Sequence, residues 1–169
     1  HHAWYVTTCD IVGRNPLLFR RSEMNAATIL KRKGSNVVTV FPDASIREAM
    51  RVLIKHRVGS LVVLSETREV IGIITERDIF RLTYEHEGKI MDIPVSAVMT
   101  TNLIVALPSD SLDYLKAMMT ENRIRHLPVM NDGKLVGVIS IGDIIREEVS
   151  EAAVENRYLK DYIAGVYPG

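Results

Sequence analysis

Short apolar runs alternate along the chain with stripes of apolar residues at helical spacing. Three runs of four or five residues are typical of buried strands, and they lie at residues 37–41, 61–64 and 70–74. Between the first two runs, apolar residues recur every three or four positions, which predicts an amphipathic helix. Ser45 and Glu48 fit the two ends of a capping box, so this helix should begin after Ser45. With a further helix from about Glu76, the predicted order is βαββα.

The same pattern occurs a second time. Residues 36–63 align with residues 102–129 at an offset of 66, and residues 70–81 align with residues 135–146 at an offset of 65. Most aligned pairs are identical or exchange one apolar residue for another, as a duplicated core requires. The second copy predicts strands at 103–107, 127–130 and 135–139, a helix after Ser111, and a long last helix running from about Ile141 to a stop at Gly165.

The repeat divides the chain into four segments. Residues 1–23 are a tag, vector sequence or extension, residues 24–90 the first domain, residues 91–146 the second domain, and residues 147–169 a C-terminal helix. The His1-His2 start and the absence of periodicity before Met24 favour an affinity tag, with an organelle transit remnant as the alternative. Met24 is then the predicted native start.

Composition narrows the class of protein. Of 169 residues, 47% are hydrophobic and 25% are charged, which is typical of a globular domain. The 21 basic and 21 acidic residues cancel, so we expect no nucleic-acid partner. The single cysteine excludes an intramolecular disulfide and suits a reducing compartment, so we expect a cytoplasmic protein. No apolar run approaches the length of a membrane helix, so we expect no membrane association.

The sequences GIITERD (72–78) and GVISIGD (137–143) carry the chemistry that stands out most. In each, a strand runs into a helix at a hydroxyl residue, Thr75 or Ser140, where free N–H groups favour a phosphate. The aspartates three residues later, Asp78 and Asp143, can accept hydrogen bonds from ribose hydroxyls. The same residues also suit a purely structural role, with the hydroxyls as N-caps and the aspartates as partners of the helix dipole.

These motifs, with Val98-Met99-Thr100 and RHLPV (125–129), resemble those of a cystathionine-β-synthase-type (CBS) domain pair, or Bateman module, over residues 26–146. The resemblance implies an α+β fold of two βαββα domains packed pseudo-symmetrically, with two clefts for adenosyl ligands. It implies that the ligand's phosphate or ribose is held by Thr75, Asp78, Ser140 and Asp143. It implies an adenine pocket lined by Thr39, Val62, Met99, Thr100, Asn102 and Pro128, and phosphate-facing Arg125 and His126.

The two copies differ where a ligand would lie. Arg125-His126 align with Gly59-Ser60, and Arg77 aligns with Gly142. We therefore predict two non-equivalent sites. At Gly59 the missing side chain would let a ligand approach the backbone, whereas the second site, with Asp143 on ribose and Arg125 on phosphate, is better equipped for phosphate. The alternatives are that Arg77 and Arg125 are solvated surface residues and that His126 is a half-buried, hydrogen-bonded histidine.

The functional expectation is a stand-alone regulatory or sensor module that is not an enzyme. We expect AMP as ligand first, then ATP or ADP, with NAD(H) if one cleft joins both sites, while the sulfonium of S-adenosylmethionine suits basic surroundings less. No metal motif and no catalytic cofactor are expected. We also expect a homodimer and a regulated protein that the sequence does not identify. The alternatives are a structural dimerisation module with empty clefts and a small enzyme that uses the aspartates as general bases.

Overall fold

A computed structural model describes residues 24–163, and it confirms an α+β fold of two repeats with a long C-terminal helix. The first repeat contains β1 (Thr39–Val40), α2 (Ile46–His56), β2 (Ser60–Leu64), β3 (Val70–Thr75) and α3 (Glu76–Glu85), and it follows a helix α1 (Ala26–Lys33). After a 3-10 turn (Val95–Ala97), the second repeat contains α4 (Leu112–Glu121), β4 (His126–Asn131), β5 (Lys134–Ser140) and α5 (Ile141–Ile163). Residues 1–23 and the predicted stop at Gly165 lie outside the described residues.

The predicted helix starts and hairpins are confirmed in both repeats. The Ser45 hydroxyl accepts a hydrogen bond from the Glu48 N–H at 3.3 Å, and Ser111 caps α4 in the same way. The pairs β2–β3 and β4–β5 are antiparallel, and each carries one register shift at the same position of the repeat. Local signals therefore place the helices and hairpins, because caps and turns depend on residues close together in the chain.

The predicted strand at 103–107 is wrong, since this segment makes only one parallel bridge, between Ala106 and Val129. In the first repeat, β1 pairs in parallel with β2, and the Val62 N–H donates to the Val38 carbonyl at 3.2 Å. Pro128 takes the place of Val62 in the second repeat and has no N–H to donate. The ladder therefore loses the bond that would extend it to the residues before Ala106.

The segment before each repeat packs on the other repeat. We call residues 24–36 the first lead-in and residues 90–102 the second lead-in. The Ala26 and Ala27 N–H groups donate to carbonyls just before α4, and the Val95 and Ser96 N–H groups donate to the equivalent carbonyls just before α2. Helix α1, which the sequence pattern did not predict, therefore belongs spatially with the second repeat.

Two hydrophobic cores result from this exchange. Buried residues of the first lead-in, among them Ile29 and Leu30, join the core of the second repeat, and those of the second lead-in, among them Ile90 and Val95, join the core of the first. The motif glycines make room for the crossing. A Cβ on Gly137 would lie 2.4 Å from Leu30 Cδ2. The glycine that begins each motif is therefore required by packing.

Helix α5 begins in the second motif and continues for 23 residues, as the sequence predicted. Its buried face lies near its start, where Ile144 and Glu147 are almost fully covered. Within residues 24–163, neither α5 nor another helix combines the length and apolar content that crossing a bilayer requires.

Candidate functional site

The hydroxyl–aspartate pair of each motif forms the start of a helix. The Thr75 N–H and hydroxyl donate to Asp78 Oδ2 at 2.9 and 2.7 Å, and the Asp78 N–H donates back to Thr75 Oγ1 at 3.3 Å. Ser140 and Asp143 repeat this arrangement with distances of 2.8, 2.8 and 3.2 Å. The structural role that the sequence offered as an alternative is thus present in both repeats. It engages only one oxygen of each carboxylate.

A cleft of about 550 Å³ lies between the repeats at the start of α3, and we call it the first cleft. It brings together nine of the residues expected to bind a ligand: Gly59, Thr75, Arg77, Asp78, Thr100, Asn102, Arg125, His126 and Pro128. Thr100 exchanges two backbone hydrogen bonds with Ile73, of 2.9 and 3.0 Å, and this bridge brings the second lead-in to the cleft. The cleft therefore combines the motif of the first repeat with the second lead-in and β4.

The first cleft is rich in arginine. Arg77, Arg81, Arg123 and Arg125 all line it, against the carboxylates of Glu76 and Asp78. Four guanidinium groups around a cleft favour an anionic ligand, because each offers several donors to phosphate oxygens. The Arg77 side chain also donates to the Arg123 carbonyl at 3.1 Å and so links the two repeats across the cleft.

Arg81 and Arg123 also line the cleft, although the sequence patterns did not identify them as site residues. One feature of each residue points to this position. Arg81 lies four residues after Arg77 on the same helix, so the two side chains share a face. Arg123 is identical to its repeat partner Arg57, and both adopt the left-handed conformation with φ of 55° and 53°.

His126 lies over Gly59. A Cβ on Gly59 would come within 3.0 Å of the imidazole Cε1 and 3.1 Å of Nε2. His126 therefore occupies the space that the missing side chain leaves at Gly59, where we expected a ligand to approach. The histidine is half-buried, and burial lowers its pKa, although the carboxylates of Glu76 and Asp143 oppose the shift.

The second motif has different surroundings. Lys33, at the end of α1, places its Nζ 2.6 Å from Asp143 Oδ2 and 2.7 Å from the Val138 carbonyl. Arg146 donates to the other oxygen, Oδ1, at 3.3 Å. Burial raises the pKa of Asp143, but the hydrogen bonds from Lys33 and Ser140 outweigh it and hold the pKa below its usual value. Both oxygens of this carboxylate are thus engaged by cations of the chain itself.

The remaining expected residues do not line the first cleft. Thr39 is exposed and pairs in register with the buried Val62, and the half-buried Met99 lies over Gly72 and packs against the core of the first repeat. Ser140 and Asp143 belong to the second motif. The expected pairing of Arg125 with Asp143 differs from the structure, in which Arg125 shares the first cleft with Asp78. Because the cleft lies between the two repeats, residues of both line it. A binding site therefore cannot be assigned to one repeat alone.

Two matches to the CBS domain family model cover residues 29–85 and 95–150, more than half of the chain. The chain belongs to the CBS domain family. It is 34% identical over 147 residues to the CBS domain-containing protein CBSX3, mitochondrial, of Arabidopsis thaliana, covering 82% of this chain and 71% of that protein. It also resembles the crystal structure of the CBS-domain containing protein ATU1752 from Agrobacterium tumefaciens, with a TM-score of 0.72 and 39% identity over 73% of this chain and 92% of that one.

Adenosyl compounds are present in related CBS domain structures. The CBS domain pair of protein MJ0100, solved with 5-methylthioadenosine and S-adenosyl-L-methionine, matches with a TM-score of 0.67 and 28% identity over 76% of this chain and 98% of that one. CBSX2, solved with AMP, matches with a TM-score of 0.62 and 25% identity over 75% of this chain and 97% of that one. Within the described residues, no group of three or more histidine, cysteine or acidic side chains is placed to hold a metal ion.

Proposed function

We propose that this CBS domain protein is a regulatory module that binds an adenosyl nucleotide in the first cleft. The observation that carries the proposal is the convergence there of Asp78 with four arginines. A nucleotide offers a ribose that donates hydrogen bonds and a phosphate that accepts them, and this cleft supplies the complementary group for each. AMP is the first candidate.

The Asp78 carboxylate is the proposed ribose grip. The hydrogen bonds that this carboxylate accepts within residues 24–163 all end on Oδ2, so no donor from these residues occupies Oδ1. A carboxylate held by its own helix cap is pre-organised, which lowers the entropy that binding costs. The 2′ and 3′ hydroxyls of a ribose would donate to this oxygen.

The phosphate would lie toward Arg125 and Arg77, and the adenine toward the apolar wall of the cleft. Ile73, Leu103, Ile104 and Pro128 provide this wall, and Asn102 provides an amide that can both donate and accept. The surplus of arginine supports ATP, ADP or NAD(H) as further candidates, since each adds phosphate charge. A sulfonium ligand such as S-adenosylmethionine meets unfavourable charge among these arginines.

A calorimetric titration with AMP tests the proposal. The intact chain should bind AMP, and Asp78→Ala should abolish the heat while the exposed control Asp92→Ala keeps it. A thermal melt of each variant without nucleotide separates lost binding from lost folding, since Asp78 also caps α3. In the intact chain AMP should raise the melting temperature. If AMP changes neither heat nor melting temperature, and neither do ATP, ADP or NAD(H), the proposal is wrong.

A second candidate is a structural dimerisation module. Large apolar side chains are exposed at matching positions of both repeats, Phe80 and Tyr84 on α3 and Ile145 and Val149 on α5. Exposed apolar residues of this kind mark protein interfaces, so a homodimer is part of both candidates. Light scattering after size exclusion, on the intact chain and on Tyr84→Glu, measures the assembly. A dimer that forms without binding any adenosyl compound would favour this candidate.

Binding rather than catalysis is proposed for the cleft. A match to inosine-5'-monophosphate dehydrogenase of Aquifex aeolicus, 36% identical over 115 residues, covers only 23% of that enzyme. A cytoplasmic location stays a proposal based on the single cysteine, and mitochondria are the alternative because CBSX3 is named as mitochondrial.

A further inference from the structure

The two lead-ins reach their repeats by paths of different length. Leu30 covers Gly137 as Met99 covers the equivalent glycine of the first repeat, so these two side chains occupy matching places. Five residues separate Leu30 from Asn36, whereas two separate Met99 from Asn102, the repeat partner of Asn36. The first lead-in therefore contains three additional residues, in a stretch that includes the last turn of α1.

This additional length brings a lysine to the second motif. Lys33 Nζ lies 2.6 Å from Asp143 Oδ2 and 2.7 Å from the Val138 carbonyl. In the first repeat, the equivalent carbonyl of Ile73 accepts instead from the backbone N–H of Thr100, at 2.9 Å. A lysine side chain therefore takes the place of a backbone bridge. Its charge lies on Asp143, the counterpart of Asp78 in the first cleft.

The same turn of α1 is anchored a second time. Arg32 forms an ion pair with Glu147, which is one of two buried polar residues in the described part of the chain. Glu147 lies on α5, four residues after Asp143, so the two carboxylates share a face of that helix. The end of α1 thus contacts the second motif and α5 at once.

We propose that Lys33 is an autoinhibitory latch, whose ammonium on Asp143 Oδ2 keeps a ribose from this carboxylate until the last turn of α1 moves away. Arg146 on Oδ1 is the weaker obstacle, because its side chain is exposed and its bond is 3.3 Å long. The proposal rests on the proposed function, because it takes the adenosyl nucleotide as the excluded ligand. Ribose hydroxyls are neutral donors and form weaker bonds to a carboxylate than an ammonium does. The chain at rest therefore binds one nucleotide, in the first cleft. Displacement of Lys33 would also disturb Arg32 and Glu147 and so reach α5.

Stoichiometry of AMP binding tests the latch. Calorimetry is performed on the intact chain, on Lys33→Ala, and on Lys31→Ala, which removes an exposed lysine from the same helix. We expect one site per chain in the intact protein and in Lys31→Ala, and two in Lys33→Ala. With the first cleft disabled, Asp78→Ala should bind no AMP, while Asp78→Ala combined with Lys33→Ala should regain one site.

The outcomes separate the latch from the function on which it rests. If Lys33→Ala binds one AMP and the double variant none, the latch is wrong and nucleotide binding in the first cleft stands. If no variant binds AMP, the proposed function is wrong.

A labelling experiment without nucleotide tests the contact between Lys33 and Asp143 itself. Acetylation of Lys33, followed by mass spectrometry with Lys31 as internal standard, should be slow in the intact chain and several-fold faster in Asp143→Asn. Equal rates in both proteins would overturn the latch.

Discussion

The first and second motifs share the same hydroxyl–aspartate cap, but the electrostatic surroundings of their carboxylates differ. At the first motif, Asp78 keeps an oxygen without a protein donor among the described residues, and arginines of both repeats line the same cleft. At the second, Lys33 and Arg146 engage both oxygens of Asp143. Duplication therefore preserved the cap, which is local, whereas the surroundings of the cap differ because they come from other segments. The motif alone does not define a binding site.

Removal of each carboxylate should give the largest difference between the two motifs. Asp78→Ala should weaken AMP binding about 100-fold or more, because two charge-assisted hydrogen bonds to ribose are lost. Asp143→Ala should leave the affinity of the first cleft nearly unchanged. Calorimetry of both variants measures this contrast, and far-ultraviolet circular dichroism confirms that each is folded. Equal affinities in the two variants would mean that the ribose grip is wrongly placed.

The glycines test the crossing of the lead-ins. Gly137→Ala should lower the free energy of unfolding by about 1–3 kcal/mol, since the new Cβ would meet three atoms of the branched Leu30 side chain. Gly72→Ala should cost less, because the atoms that it meets belong mainly to the flexible Met99 side chain. Urea unfolding of both variants provides the comparison. A larger loss in Gly72→Ala would contradict this packing.

Loss of the phosphate contact should weaken the binding of AMP but not the binding of adenosine. Arg125→Ala should weaken AMP binding about tenfold, the value of one charge-assisted hydrogen bond. Adenosine, which lacks the phosphate, should bind the variant as it binds the intact chain. The matched control is Arg68→Ala, an exposed arginine in the turn between β2 and β3. If adenosine is weakened as much as AMP, Arg125 acts on the fold of the cleft and not on phosphate.

The smallest effect concerns the pH dependence of stability. The pKa of Asp143 is lowered in the folded chain, so its pairing stabilises the fold above the unfolded pKa, near 3.8, and this contribution disappears as the pH falls through the folded value. The stability difference between the intact chain and Asp143→Asn should thus shrink below about pH 4, as measured by urea unfolding between pH 3 and 7. The effect is modest because Lys33 is partly exposed to solvent. A difference as large at pH 3 as at pH 7 would contradict the pairing.

Protonation of His126 should make a second, separate contribution to the pH dependence of stability. Its pKa is lowered by burial, so near pH 6 the unfolded chain binds more protons than the folded one, and stability falls as the pH drops below 6.5. His126→Gln should remove this slope between pH 7 and 5.5. An unchanged slope in the variant would show that other groups cause it.

The sequence predicted what local chemistry determines. The caps at Ser45 and Thr75 and both hairpins follow from neighbouring residues, and the structure contains them. The crossing of the lead-ins was not predictable from the repeat, because the alignment begins at Asn36 and contains no information about the residues before it. The missing strand at 103–107 was predictable from Pro128, whose lack of an N–H is a property of the sequence.

The sequence predicted part of the lining of the candidate site, but not how the residues of the two repeats are grouped. Nine expected residues meet in the first cleft, yet Arg125 joins the aspartate of the other repeat, since the cleft lies between repeats. Neither motif contains a pattern that predicts the contact of Lys33 with Asp143. Its position depends on how far α1 extends before the chain turns at Gly34, which adopts a φ of 89°.

A crystal structure of the chain grown with AMP tests the difference between the two motifs most directly. We expect electron density for one nucleotide in the first cleft, with its ribose on Asp78 and its phosphate near Arg125, and Lys33 still on Asp143. A nucleotide on Asp143 beside an empty first cleft would contradict the roles assigned to both motifs.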